Sequence, residues 1–345
     1  METLDNAARR SFTLPLLQRA ETVDRIDRIV EFLRGARSVQ VIGHLHPDGD
    51  CIGSVMALHH ILQGWEVRHA LAIEGPLPRT FAGLPDLELI QGHPDPELNP
   101  ELAVYLDCAT LERSLKAWRP TCPIINIDHH AGNTAYGRLN WIQPECAATG
   151  EMLYYLALRA RVELTEPMAD ALLLALTTDT GAYRYSNAGW PQHVIAADLV
   201  RSGGSVDRVM RIAYANQPLE SLQLTGYVLG QLRVVAGGQL AWSQVRAETL
   251  RRHGGDDNLP EDLASQLRMI QGVRVSALFR ETEAGGLRLN LRSDGSYDVS
   301  RLARRWGGGG HPGAAGLHLA AGDFEAQRDQ ILEDLLGLLQ QGDPD

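Results

Sequence analysis

Lysine is almost missing from this 345-residue chain: of 32 basic residues only Lys116 is a lysine, and the other 31 are arginines. We read that deficit as compositional bias. Positive charge is also short, with 43 acidic residues and a formal net charge of −11. Such a balance excludes a protein that grips long duplex DNA through many phosphate contacts, because those contacts need a basic stripe. It leaves room for a small phosphorylated ligand in one locally positive pocket. Cysteine is scarce, and Cys51, Cys108, Cys122 and Cys146 lie far apart with no C-x-x-C pair. That argues against a disulfide framework or a structural zinc knot, and for a reducing compartment. Long apolar runs are absent: ALLLAL at 171–176 falls far short of the ~20 residues that cross a bilayer. The opening METLDNAARRSFTLPLLQ lacks a basic start followed by an apolar core, so no secretory signal is expected and a cytoplasmic location is the default. What the chain does have is apolar mass. Hydrophobic residues make up 44% and charged residues 22%, enough for a sizeable core in a length that suits two domains.

Periodicity gives the organisation. Spaced apolar residues from Glu21 to Leu33 predict a helix stopped by Gly35. Strand-length runs follow at SVQVIGH (38–44), WEVRHAL (65–71), ELAVYLD (101–107) and PIINIDHH (123–130), with helices expected at Ile52–Leu62 and Gly150–Arg159. Short apolar strands alternating with helices predict an α/β domain, a parallel sheet with helices on both faces, whose ligands bind outside the carboxyl ends of the strands. The text from Pro191 to about Arg233 is mostly helical. Beyond it, VVAGGQLAWSQV predicts a hairpin, PEDLASQLRMIQG a helix, VRVSALFR and LRLNLRS strands joined at EAGG, and Phe324–Leu339 a last helix. The expected division is therefore a domain over 1–216, a helical linker over 217–233, and a smaller α+β domain with a mixed sheet over 234–345.

Four stretches carry chemistry. GHLHPDGDCIGS (43–54) places His44, His46, Asp48 and Asp50 within seven residues; Asp107 ends VYLD; Asp128, His129 and His130 follow INI; Asp179 sits in LTTDTGAYRYSN. Each has an ordinary explanation by itself. A strand-end Asp often caps a helix or makes a turn, Asp179 before Thr-Gly fits an Asx turn, and HPDGD fits a tight turn. Together they form a set of carboxylates and imidazoles at strand ends that like-charge repulsion disfavours unless a cation neutralises it. Carboxylate with imidazole suits Mn²⁺, Fe²⁺ or Co²⁺. Periodicity does not choose between His44 and His46, which share a face of an extended strand. Cys51 and Cys108, each next to a candidate ligand, fit packing better than coordination.

In this order the stretches resemble the DHH phosphoesterase superfamily: H-x-x-P-D-x-D, a strand-end Asp, D-H-H, and a D-T-G segment. GGGGHPGAAG (307–316) resembles the Gly-rich signature of the DHH-associated domain. Domain pairing and length resemble the nanoRNase/pAp phosphatase subfamily. The resemblance implies two divalent metal ions, with Mn²⁺ the expected species. His44, Asp48 and Asp107 would hold one ion, and Asp50, Asp107, His129 and Asp179 the other, with Asp107 bridging. It selects His44 over His46, which is left to line the cleft. Asp128 would orient His129. His130 is assigned to a non-bridging phosphate oxygen, to protonation of the leaving group, or to a supporting hydrogen bond. Arg113, six residues after Asp107, is a candidate for a substrate phosphate, with an ordinary surface position as the alternative.

In the second domain the functional reading of the glycine run is a loop whose backbone N–H groups at Gly308, Gly309 and Gly310 form an anion nest, with His311 as a further donor. Arg292 and Ser293 match the family's strand-end pair and are candidate phosphate contacts, since arginine suits bidentate phosphate binding. Arg301, Arg304 and Arg305 fit an exposed helix face. The implied activity is hydrolysis of short RNA oligonucleotides, with short DNA as a further option, and of 3′-phosphoadenosine 5′-phosphate (pAp), the second domain holding the neighbouring nucleotide or terminal phosphate. Neither duplex DNA nor a membrane is an expected partner, and the oligomeric state stays open, a homodimer being one option. The alternatives are a RecJ-like single-strand exonuclease, a cyclic-dinucleotide or pGpG phosphodiesterase, a family II pyrophosphatase, and a nucleotide-binding regulatory module without chemistry. The missing additional domains speak against the first, the GGGGH segment against the pyrophosphatase, and the complete ligand set against the last.

Overall fold

The alternation of apolar runs and helical stretches in the first two hundred residues builds a parallel sheet. A computed structural model describes residues 14–116, 118–254 and 263–341, and the chain divides into two units, Met1–Asn216 and Gln217–Asp345. Most of the opening stretch on which the signal expectation rests (1–13) lies outside the described residues. Among the described residues no helix is long and apolar enough to cross a membrane.

In the first unit, β1 (Ser38–Ile42), β2 (Arg68–Ala72), β3 (Ile90–Gln91), β4 (Leu102–Leu106), β5 (Ile124–Asp128) and β6 (Leu139–Ile142) pair in parallel in the order 3-2-1-4-5-6. The helices are α1 (Ala20–Gly35), α2 (Gly49–Gly64), α3 (Thr149–Arg159), α4 (Glu166–Asp179), α5 (Trp190–Arg201) and α6 (Val206–Met210). Side chains alternate across the sheet. Leu102, Val104 and Leu106 of β4 enter a large core with α1 to α4, whereas Ala103 and Tyr105 join a smaller cluster with Ile42, Cys108 and Leu115 on the other face. Both faces are covered, which is why the strands read as unbroken apolar runs. Helix α2 is buried over residues 49–62 and lies hard against α4: a Cβ on Gly53 would meet the Ala171 carbonyl at 2.4 Å. Strand order reverses between β1 and β4, the position where open α/β sheets bind ligands.

The second unit has α7 (Leu219–Gly230), β7 (Arg233–Val235), β8 (Leu240–Val245), α8 (Ala247–Arg252), α9 (Leu263–Leu267), β9 (Val275–Glu281), β10 (Leu287–Ser293), α10 (Val299–Arg305), β11 (Gly309–His311), β12 (Ala314–Leu319) and α11 (Phe324–Gln341). Its sheet runs 11-12-10-9-8-7, with β8 and β9 parallel and the remaining pairs antiparallel. Where the sequence suggests a linker over 217–233, α7 instead buries Leu224 and Val228 among Ala241, Val245, Leu250, Leu263 and Leu267, so it is part of this unit's core. Residues 260–262 of the expected PEDLASQLRMIQG helix lie outside the described residues, and the described helix ends at Leu267.

The glycine run is the clearest departure from expectation. Residues 307–316 do not form an open loop; Gly309–His311 and Ala314–Leu319 are antiparallel strands joined at Pro312-Gly313. The reason is steric. A Cβ on Gly308 would lie 2.2 Å from the Gly316 carbonyl, and one on Gly310, at φ 133°, 2.5 Å from that of Ala314. Only glycine lets the two strands approach this closely. The hairpin tip is tied down: Ser293 N donates to the Gly313 carbonyl at 2.9 Å and Val299 N to that of Pro312 at 3.0 Å.

Candidate active site

The candidate ligands gather at the carboxyl ends of β1, β4 and β5. His44 leaves β1, and its ring is set by its own loop: Nδ1 donates to the Leu45 carbonyl at 2.8 Å, which turns Nε2 towards the carboxylates. Asp48 caps α2, accepting from Cys51 N at 2.9 Å. Asp50 is buried in the first turn of that helix. Asp107 follows β4 at φ 59°, a left-handed conformation that Asp tolerates better than most residues. Asp179 ends α4 and precedes three consecutive left-handed residues, Gly181, Ala182 and Tyr183. Backbone strain of this kind concentrates at functional sites.

The geometry joins these groups into one cluster. His44 Nε2 lies 3.7 Å from Asp48 Oδ1 and 3.3 Å from Asp107 Oδ2. His129 Nε2 lies 3.7 Å from Asp50 Oδ2, 3.6 Å from Asp107 Oδ1 and 3.2 Å from Asp179 Oδ2. The His129 ring is turned by the Cys146 carbonyl, 3.3 Å from Nδ1. Atoms within 4.8 Å of one another form three overlapping sets: His44 with Asp48 and Asp107; Asp50 with His129 and Asp179; Asp107 with His129 and His130. Separations of 3.2–3.7 Å are mostly long for hydrogen bonds. They match donor atoms each about 2.0–2.2 Å from a shared cation, so the residues fit a metal and are able to hold one.

The charges report the same crowding. Burial pushes Asp50 well above the usual carboxylate range, and the negative Asp107, Asp179 and Asp48 add to the rise. Asp179 rises for the same reasons, burial first and then Asp48 and Asp107. Burial opposes charge on Asp107 as well, but the hydrogen bond from His44 and the neighbouring His130, His44 and His129 hold it well below its ordinary value. Burial would lower His44, yet Cys51, Asp107 and Asp48 together raise it well above the imidazole range. These shifts favour protons on part of a cluster that a divalent cation would neutralise.

Asp128 corrects one expectation. It does not orient His129. Its Oδ1 accepts from His130, at 2.8 Å from Nδ1 and 3.2 Å from the backbone N, and its Oδ2 accepts from Asn133 Nδ2 at 2.5 Å. Successive side chains leaving a strand point apart, so the two histidines take different partners. His130 also has Nδ1 3.4 Å from Asp107 Oδ1. His46 is exposed, at φ 56°. Cys51 and Cys108 are buried; Cys51 Sγ accepts from His44 N at 3.2 Å and Cys108 donates to the Leu106 carbonyl.

Several contributors carry no signature in the sequence. The N-terminus of α3 grips Asp50: Thr149 N donates to Oδ2 at 2.7 Å and Gly150 N to Oδ1 at 2.9 Å, using helix-end donors that otherwise lack partners. Thr149 Oγ1 donates to Asp107 Oδ1 at 3.1 Å and Ser54 to Asp50 at 3.1 Å. Beneath them the buried Glu151 accepts from Ala147 N, Tyr155 and Gln192. A helix beginning T-G-E after a strand is the only hint available beforehand.

Arg113 lies exposed in a short turn after Asp107, and its carbonyl accepts from Leu45 N at 2.6 Å, tying that turn to the His44 loop. In the second unit, Ser293 Oγ accepts from Gly295 N and Tyr297 N, which gives it a structural task at the end of β10. Arg292 is half-buried beside it, and Gly308, Gly309, Gly310 and His311 belong to the edge hairpin; the Gly308 amide, expected as an anion donor, instead donates to the Ala303 carbonyl at 2.8 Å. Arg304 approaches Asp298, Arg305 approaches Asp334, and both are exposed.

Comparison with known proteins places this geometry. Residues 38–176 match the family model described as DHH family, N-terminal domain, and residues 239–341 match the DHHA1 domain. A protein of Thermus thermophilus named bifunctional oligoribonuclease and PAP phosphatase NrnA is 29% identical over 90% of this chain and 93% of its own. Its namesake in Bacillus subtilis is 27% identical over 85% of this chain and 91% of its own. The crystal structure of an exopolyphosphatase-related protein from Bacteroides fragilis superposes with a TM-score of 0.82 at 25% identity, covering 92% of this chain and 98% of that one.

Proposed function

The chain belongs to the DHH family, and from that premise we propose that it is a phosphoesterase that hydrolyses short RNA oligonucleotides and pAp with the help of two divalent cations, manganese by preference. The observation that carries the reading is the double use of Asp107, whose Oδ2 faces His44 while Oδ1 faces His129. His44, Asp48 and Asp107 would hold one ion; Asp50, Asp107, His129 and Asp179 the other. Such a pair supplies an acidified water and compensates the charge of the transition state.

The chain's own residues do the rest. The carbonyls of Leu45 and Cys146 fix the tautomers of His44 and His129 so that each presents Nε2. The α3 N-terminus holds Asp50 in a single orientation. Asp128 holds His130 by Nδ1, and its Nε2 would bind a non-bridging phosphate oxygen or protonate the leaving oxygen. Arg113 supports a substrate phosphate. In the second unit, Arg292, His311 and the edge backbone of Gly309 and Gly310 would take a substrate phosphate, with the Ser293 hydroxyl proton as a further donor.

Incubation with Mn²⁺ and a labelled dinucleotide, pAp or a long single strand tests the reading. Rapid turnover of the first two and slow turnover of the third is expected. Rapid digestion of the long strand with no turnover of the others would replace it with processive exonuclease chemistry.

A further inference from the structure

A second group of imidazoles lies at the other end of α2. His59 and His60 are 6% and 9% exposed. They stand nine and ten residues beyond Asp50, which is roughly 14 Å along a helix axis. His69 comes from β2. Asp86 comes from the turn before β3, where it adopts φ 60°. One ring nitrogen of His59, one of His60 and one carboxylate oxygen of Asp86 lie within 4.8 Å of one another. Gln63 supplies His60 with a side-chain hydrogen bond, and an imidazole has a second nitrogen to offer.

The hydrogen bonds decide which nitrogen of His59 carries a lone pair. His69 Nδ1 is 2.7 Å from the Val67 carbonyl. A carbonyl only accepts, so that nitrogen bears the proton and His69 Nε2 is an acceptor. His59 Nδ1 is 2.8 Å from it and must donate. The lone pair of His59 therefore sits on Nε2, which is buried without a hydrogen-bond partner among the described residues. Burial, with His60 and His69 alongside, pushes His59 down to about 4, and burial also lowers His60 and His69. Shifts in that direction favour the neutral imidazole, the form that binds metal.

We infer that His59 Nε2, His60 and Asp86 form a separate site for a divalent transition cation of the zinc class, with His69 fixing the His59 tautomer. Two imidazoles and one carboxylate suit Zn²⁺ or Co²⁺ and leave a coordination position for water. Metal-bound histidines commonly donate their far N–H to an acceptor that fixes the ring, and here His69 Nε2 fills that place. Such an ion would pin the end of α2 to the segment before β3. The inference does not depend on phosphoester hydrolysis.

The test uses the full chain carrying Asp107→Asn, to weaken the first cluster, stripped of metal and titrated with Zn²⁺ alone by calorimetry. One zinc equivalent that Asp86→Ala weakens at least about tenfold is expected, along with loss of the visible Co²⁺ absorption of the same protein. Asp86 is half-buried, so its removal should spare the fold, which circular dichroism of the metal-free variant checks; His60→Gln gives an independent second variant. Zinc bound with unchanged stoichiometry and affinity in both variants sits elsewhere and overturns the site. So does a parent protein that binds none. Neither readout requires turnover, so failure here leaves the hydrolase proposal standing.

Discussion

The strand-end cluster of the first unit and the glycine hairpin of the second are both dense sequence motifs, yet their residues are there for opposite physical reasons. The fold does not need Asp50, Asp107 and Asp179 side by side; burial and crowding raise two of the three, which favours protons on groups that would otherwise be charged. Packing explains nothing of this cost, and a cation does. In the hairpin, packing explains the glycines outright, since a Cβ at Gly308 or Gly310 would overlap neighbouring backbone. A motif that works against its own fold points to chemistry, whereas one that satisfies the fold needs further evidence before it is given a ligand.

Substitutions can break or sharpen that contrast. Asp107→Asn keeps the left-handed backbone and should lower kcat by about a thousandfold, with the unfolding temperature of the metal-free protein little changed. Retained activity would remove Asp107 from the reaction. Asp128→Asn should cost ten- to hundredfold in kcat through His130, leaving Mn²⁺ affinity intact; a matching loss of Mn²⁺ binding would return Asp128 to the metal side. Gly308→Ala should destabilise the second unit by about 1–3 kcal/mol, read as a lower denaturation midpoint. An unchanged midpoint with a raised KM would make that glycine functional after all. Ser293→Ala has the smallest expected effect, about 1 kcal/mol, from the two backbone amides it leaves unpaired.

Acidity sharpens the same contrast in the first unit only. Asp50, Asp179 and His44 all have raised values in the metal-free protein, so each must lose its proton before it binds a cation. Their protonated forms are favoured by the fold at low pH and that contribution disappears as pH rises through the folded values. The stabilisation produced by Mn²⁺ should therefore grow with pH, and the slope should shrink in Asp179→Asn. Thermal unfolding with and without Mn²⁺ across pH 5–8 measures it, and a flat difference would contradict the protonated cluster.

How much of this is legible in the sequence depends on whether a position is set by the strand or by its neighbours. The parallel sheet is legible in its β-branched runs. The strand-end placement of His44, Asp107 and Asp128 follows from where those runs stop. The partner of Asp128 is not legible, because which of two adjacent histidines turns back depends on the turn holding Asn133. Thr149 and Gly150 are hidden for a different reason: they meet Asp50 from about a hundred residues away, through backbone amides that any residue but proline possesses. His59 and His60 lie in a helix so thoroughly buried that its text reads as core. In the hairpin, a glycine run carries no side-chain pattern, and strand pairing there is decided by the closeness of approach.

The contact at Gly53 has a consequence for ion choice. Asp50 rides on α2 and Asp179 ends α4, and these helices touch backbone to side-chain stub with no layer of larger residues between them. The jaws that carry the two carboxylates are thus locked like a caliper at one opening. Calcium, which prefers longer bonds of 2.3–2.6 Å and six to eight oxygens, would require the jaws to spread, and a competition titration should find it a poor rival to the smaller transition ions.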